Sequence, residues 1–237
     1  MVKRGYEMKK ILHGIALILG TYTFALVCGL LVTFLRIVGR IRVIGYENLF
    51  SNGRGRLVLP NHRSLVEFIL PILYFPRFLL NPVHDVPWVA LDRHNYYRPW
   101  YFRWLGIFKL VPIDRQSGAP GRNELALEKI RSILRDSAEA LIFFPEGTRL
   151  AKAKERKTSP KGNQIGRFKS GVERIISNVD CDVVVVWIEG ADKVLPVGSI
   201  FPRFWKAPIT FHVSKPLSSK LTLEELEDKM LELADST

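Results

Sequence analysis

"RLVLPNHRSLVEFILPILYF", residues 56–75, turns from an apolar run into a helix-like one within a few residues. Residues 56–60 read as a buried strand, and a helix is expected from about Ser64. The same alternation extends in both directions along the chain. Strands are expected at 41–45, 86–91, 107–114, 140–144, 183–189 and 208–213, with helices at about 122–136, 168–177 and 222–233. Strands separated by helices build βαβ units, so the expected fold is α/β, a mixed and largely parallel sheet flanked by helices. Near-continuous apolar strands such as "VVVVWIE" (183–189) fit burial on both faces. The last helix opens with Thr222 three residues before Glu225, a capping box, and carries Leu223, Leu226, Met230 and Leu233 as its packing stripe.

At the junction, Ser64 and Glu67 match the same capping pattern, in which Glu67 reaches back to the helix start. That reading leaves His62 unexplained. Residues five apart on one helix lie about 140° around its axis, so His62 and Glu67 can pair only if His62 stands on the loop ahead of the cap. There, a carboxylate holding one imidazole nitrogen leaves the other as a general base, the arrangement that activates a hydroxyl for acyl transfer. The junction therefore admits two readings, a cap and a catalytic pair.

The formal net charge of +12 points to a polyanionic neighbour: nucleic acid, an anionic bilayer surface or a phosphorylated substrate. Residues 11–35 narrow the choice, because they contain no Lys, Arg, Asp or Glu and as a helix would cross ~30 Å of hydrocarbon. Residues 1–38 are expected to form a membrane anchor ahead of a catalytic domain at 39–237. A single span and a two-helix arrangement within one leaflet both fit, with Gly20, Thr21 and Thr23 as the break in the second. A buried hairpin is the soluble alternative. Cys28 and Cys181 are far apart and match no zinc or disulfide pattern, which suits reduced thiols facing a cytosol-like compartment. His84, His94 and His212 have no partner at a metal-ligand spacing, so no metal is expected.

Residues 149–169 carry eight basic residues against the single acid Glu155, with Pro160, Gly162 and Gly166, and read as a loop. With no aromatic before Phe168 for bases to stack on, the stretch suits anionic lipid headgroups or an acidic donor better than nucleic acid. Just before it, "FFPEGTR" (143–149) ends a strand in a turn, where Gly147 permits close approach of a ligand and Arg149 suits bidentate capture of phosphate.

"NHRSLVE" (61–67), "LVPIDR" (110–115) and "FPEGTR" (144–149), in that order and each at a strand end, resemble the motifs of the glycerolipid acyltransferases, especially the 1-acylglycerol-3-phosphate acyltransferases. The resemblance covers roughly residues 40 to 215. It implies that His62 is the general base and Glu67 its orienting partner, that Arg115 and Arg149 hold the acceptor phosphate, and that Glu146, Gly147 and Thr148 shape the glycerol site. Lys109 is a further phosphate candidate. The reaction implied is transfer of an acyl group from acyl-CoA or acyl-carrier protein to the free hydroxyl of a lysophosphatidate. It needs no cofactor, takes place at the cytoplasmic face of a membrane and yields phosphatidic acid. Other lysophospholipids or glycerol 3-phosphate are alternative acceptors, and a catalytically silent membrane-binding protein is the alternative of another class. Two departures stand out: Glu67 replaces the family's usual Asp, and Trp187 falls about where a fourth conserved block carries Pro.

Overall fold

The computed structural model describes residues 23, 25–50, 53–80, 86–93, 109–114, 123–196, 198–199 and 201–237. In chain order its first half holds helix α1 (25–37), strands β1 (Ile41–Ile44) and β2 (Arg56–Pro60), helices α2 (Ile69–Ile72) and α3 (Phe75–Leu80), then β3 (Trp88–Asp92) and β4 (Leu110–Ile113). After these come α4 (Glu124–Arg135), β5 (Ala140–Ile142), β6 (Arg156–Thr158), β7 (Gln164–Gly166), α5 (Ser170–Ile176), β8 (Asp182–Glu189), α6 (Ala191–Val194), β9 (Ile209–Val213), β10 (Leu217–Ser218) and α7 (Leu223–Asp235).

Seven strands run in the order β1-β9-β8-β2-β5-β3-β4, and β10 adds to β8. The β2, β5, β3 and β4 pairings, with β2/β8 and β1/β9, are parallel, while β8/β9 and β8/β10 are antiparallel. The sheet is thus mixed and largely parallel, as expected. Its strands are apolar throughout because alternate residues serve two cores. Val58, Val184, Val186 and Phe211 face one core with Val32 and Leu35 of α1, whereas Leu57, Leu59, Val183, Val185 and Trp187 face α4, α5 and α7.

Three local expectations change. The helix expected from Ser64 begins instead as a 3-10 turn at Val66–Phe68, runs through α2 and breaks at Leu73–Tyr74 before α3. Pro76 explains the restart, since a residue without an N–H is tolerated in a first helical turn and not in the interior. The basic stretch 149–169 is not an open loop: β6 and β7 pair as a hairpin clamped to α7. Lys157 reaches Asp228 at 2.6 Å, Arg167 reaches the buried Glu227 at 2.8 Å, and Lys161 bonds the Asp235 carbonyl. On α7 the capping box forms, Thr222 N–H donating to Glu225 at 2.7 Å, and the buried stripe is Leu226, Glu227, Met230, Leu231 and Ala234, with Leu223 and Leu233 at its margin.

Most of the expected anchor, residues 1–22 and 24, lies outside the described residues. Among the described residues no helix is long and apolar enough to cross a membrane. Of the two cysteines, both free, Cys28 is half-buried on α1 and Cys181 is buried.

Candidate active site

His62 leaves the sheet two residues past β2, and the exit is fixed by Asn61. This fully buried amide copies the ladder with its side chain, accepting from Ile188 N–H at 2.7 Å and donating to the Ile188 carbonyl at 3.3 Å. His62 itself is gripped through its backbone. Its N–H donates to Glu146 Oε1 at 2.7 Å and its carbonyl accepts from Leu150 N–H at 2.7 Å. The loop that carries the imidazole is therefore stitched to the turn after β5.

Glu67 makes the contacts that each of the two readings of the junction requires. Oε1 accepts the N–H groups of Arg63 (2.5 Å) and Ser64 (2.6 Å), while Oε2 meets His62 Nδ1 at 2.5 Å. Only half of the sequence-predicted capping box forms, because the Ser64 hydroxyl accepts from Val66 N–H and donates to the Leu195 carbonyl rather than closing on Glu67. Glu67 is 1% exposed. Burial raises its pKa, and the imidazole and the two N–H groups oppose that rise. The Arg63 and Ser64 amides are thereby engaged, so they are not the oxyanion donors that a helix start would otherwise offer.

A cleft of about 520 Å³ opens over this pair, lined by His62, Glu67, Phe68, Asp92, Phe144 and, from the turn after β5, Arg149 and Lys152. The Phe144 ring packs 4.7 Å from the imidazole. Gly147 and Thr148 also line the cleft. Gly147 has φ 69°, a left-handed conformation that favours glycine at the tip of the turn. An apolar cavity of about 220 Å³ shares Phe68 and Leu91 with the cleft and continues past Pro71, Tyr74 and Phe78.

The other sequence-predicted residues fall elsewhere. Glu146 lies beneath the cleft, with Oε1 on His62 N–H and Oε2 on Gly166 N–H at 2.7 Å. A Cβ at Gly166 would come within 2.8 Å of that oxygen, so the contact requires glycine. Lys109 is drawn away from the cleft to Glu139, beside the Trp88 ring. Arg115 lies outside the described residues. Sequence reasoning missed Asn61 and Lys152. Asn61 gave no signal beyond its place before the histidine, whereas Lys152 was hidden among the cations of the 149–169 stretch. No group of three or more His, Cys, Asp or Glu suited to a metal occurs among the described residues.

Burial pushes Glu146 from the ordinary 4.5 up to about 8, against the pull of the Gly166 and His62 amides. The native protein then holds a proton that the unfolded chain has released, so this contribution is complete below pH 4.5 and is lost as pH rises through about 8. Urea midpoints should fall between about pH 5 and pH 8, and Glu146→Gln should flatten that slope. Glu67 adds a remainder of the same sign. A slope unchanged by Glu146→Gln would contradict the assignment.

A family model described as "Acyltransferase" matches residues 40–189, which include both the His62 loop and the Glu146 turn. Among curated proteins, a chloroplastic 1-acyl-sn-glycerol-3-phosphate acyltransferase of Arabidopsis thaliana is 24% identical over 68% of this chain and 39% of its own length. A probable 1-acyl-sn-glycerol-3-phosphate acyltransferase of Mycoplasma pneumoniae is 28% identical over 67% of this chain and 53% of its own. The chain thus spans between about two fifths and half of the length of these relatives. Among solved structures, the 1-acyl-sn-glycerophosphate acyltransferase PlsC from Thermotoga maritima shares the fold, with TM-score 0.55 and 19% identity over 82% of this chain and 71% of that one.

Proposed function

This chain belongs to the glycerolipid acyltransferase family, and from that premise we propose that it transfers a fatty acyl group from an acyl thioester to the free hydroxyl of a 1-acylglycerol 3-phosphate, giving phosphatidic acid. One observation carries the proposal: Glu67 holds His62 Nδ1 from below, and among the described residues Nε2 has no protein partner at a cleft that also presents Arg149 and Lys152. With the proton on Nδ1, Nε2 is a lone-pair base. It takes the proton of the acceptor hydroxyl as that oxygen attacks the thioester carbonyl, and the thiolate leaves as the tetrahedral centre collapses. No covalent acyl-enzyme is required.

The two cations supply what a phosphomonoester acceptor needs, a planar fork on Arg149 and a point charge on Lys152. Arg115 joins them on the strength of the motif. Gly147 and Thr148 shape the acceptor side of the cleft. Glu146 serves by holding the His62 backbone, and Lys109 has no part in phosphate capture. The apolar cavity beyond Phe68 suits a hydrocarbon chain, and α1 with the segment ahead of it would keep the cleft at a bilayer surface, on the cytoplasmic side. The donor is acyl-CoA or acyl-carrier protein.

The test is acyl transfer in vesicles from each donor to lysophosphatidate, other lysophospholipids and glycerol 3-phosphate. Lysophosphatidate should be preferred. Arg149→Ala should lower kcat/KM for it by about 10- to 100-fold, and Lys152→Ala by about 10-fold, since each removes a charge-assisted contact. A preference for acceptors without a terminal phosphate, unaltered in both variants, would remove this reading of the cations.

A further inference from the structure

Among the described residues, the exposed large apolar side chains are not scattered. All but Ile44 and Leu125 belong to the layer that covers one face of the sheet: α1 with Val38 in the turn that follows it, α3 and the segment between α6 and β9. In that last segment Phe201 is 79% and Trp205 69% exposed, although neither is needed to close the core. Phe204 between them packs inward, so the backbone is anchored while its neighbours point out. Arg203 and Lys206 alternate with the aromatics, are exposed, and have no ion-pair partner among the described residues.

Two contacts locate the segment. Ile209 N–H donates to the Arg40 carbonyl at 2.9 Å, which sets its C-terminal end beside the exit of α1, whose outer side exposes Leu30, Phe34 and Ile37. At its other end the Leu195 carbonyl accepts from Ser64 Oγ at 2.8 Å, on the loop that carries His62. The Arg203 amide also closes on the Val194 carbonyl at 2.8 Å. These bonds tie the described residues of the segment at one end to the exit of α1 and at the other to the loop at the rim of the cleft.

We infer that residues 201–206 are a second bilayer contact, in which Phe201 and Trp205 sit at the headgroup–acyl boundary and Arg203 and Lys206 meet the phosphates of anionic lipids. The indole of Trp205, apolar with one polar N–H, settles at that depth, the Phe201 ring inserts on its apolar side, and cations beside them add attraction to a negative surface. Continuity with the exposed side of α1 and the sign of the flanking charge select a lipid surface over a second copy of this chain, which would bring the same cations against each other. The inference deepens the proposal that the protein works at a membrane, and its readout does not use acyl transfer, so either can fail alone.

The experiment places an environment-sensitive fluorophore by Phe201→Cys, Trp205→Cys or, as control on the opposite layer, Leu125→Cys, in the full chain carrying Cys28→Ala and Cys181→Ala. Each is reconstituted in phosphatidylcholine vesicles with and without about 30% phosphatidylglycerol, and quenched by lipids spin-labelled near the headgroup. Labels at 201 and 205 should shift to the blue and lose at least about threefold more emission than the label at 125, and more so with the anionic lipid. Arg203→Glu with Lys206→Glu should weaken this docking by about 30-fold on anionic vesicles. If the cysteine-free background does not fold, brominated-lipid quenching of the unmodified chain against Trp205→Phe reads the same contact. Labels at 201 and 205 that behave like the one at 125, or that are already shifted in detergent through self-association, overturn the inference.

Discussion

Alanine at His62 should lower kcat for acyl transfer to lysophosphatidate by about 10²- to 10⁴-fold, the range expected when a general base is lost. KM for the acceptor should change little, because the phosphate capture proposed above uses Arg149 and Lys152 rather than the imidazole. The fold should persist. His62 is tied into the structure through its N–H and carbonyl, and both bonds survive in the variant. The side chain itself contributes the contact with Phe144 and the bond to Glu67, whose pKa is already raised by burial and which can take up a proton when the imidazole is gone. A loss of activity accompanied by loss of folding would point away from catalysis, and His62→Gln provides the control of similar size.

Glu67 should show two separable effects, because its two oxygens do different work. Glu67→Ala removes the acceptor for the Arg63 and Ser64 amides as well as the partner of His62, so it should destabilise by about 2–3 kcal/mol in urea unfolding and cut kcat by about 10²-fold or more. Glu67→Gln keeps an oxygen for the two amides and presents an NH₂ group to Nδ1. That forces the imidazole proton onto Nε2, the wrong tautomer for a base. Activity should fall by about 10²- to 10⁴-fold while most of the stability is retained. Equal losses of stability in the two variants would mean that Glu67 is only a cap.

The sheet and the His62–Glu67 contact were legible in the sequence for the same reason: both rest on local order. Strands such as 183–189 announce burial on two faces by composition, and His62 and Glu67 stand five residues apart on either side of a helix start. What stayed hidden depends on contacts across the chain. The role of Glu146 is set by Gly166 and His62, from two other segments, and the hairpin in the basic stretch is held by carboxylates on α7. Lys109 looked available for phosphate until Glu139, on the far side of α4, paired with it. The capping pattern at Ser64 holds for Glu67 and fails for the serine, whose hydroxyl is claimed by Leu195 from a loop more than a hundred residues away. The replacement of the family's usual Asp by Glu now has a physical sense: the longer side chain reaches back past two amides and still meets the imidazole.

The most direct test is the initial rate of phosphatidic acid formation from lysophosphatidate and an acyl thioester in vesicles, wild type beside His62→Ala at matched folding. The wild type should form product and the variant at least about 100-fold less. No product from the wild type with either donor, or equal rates from both proteins, would contradict the proposed function.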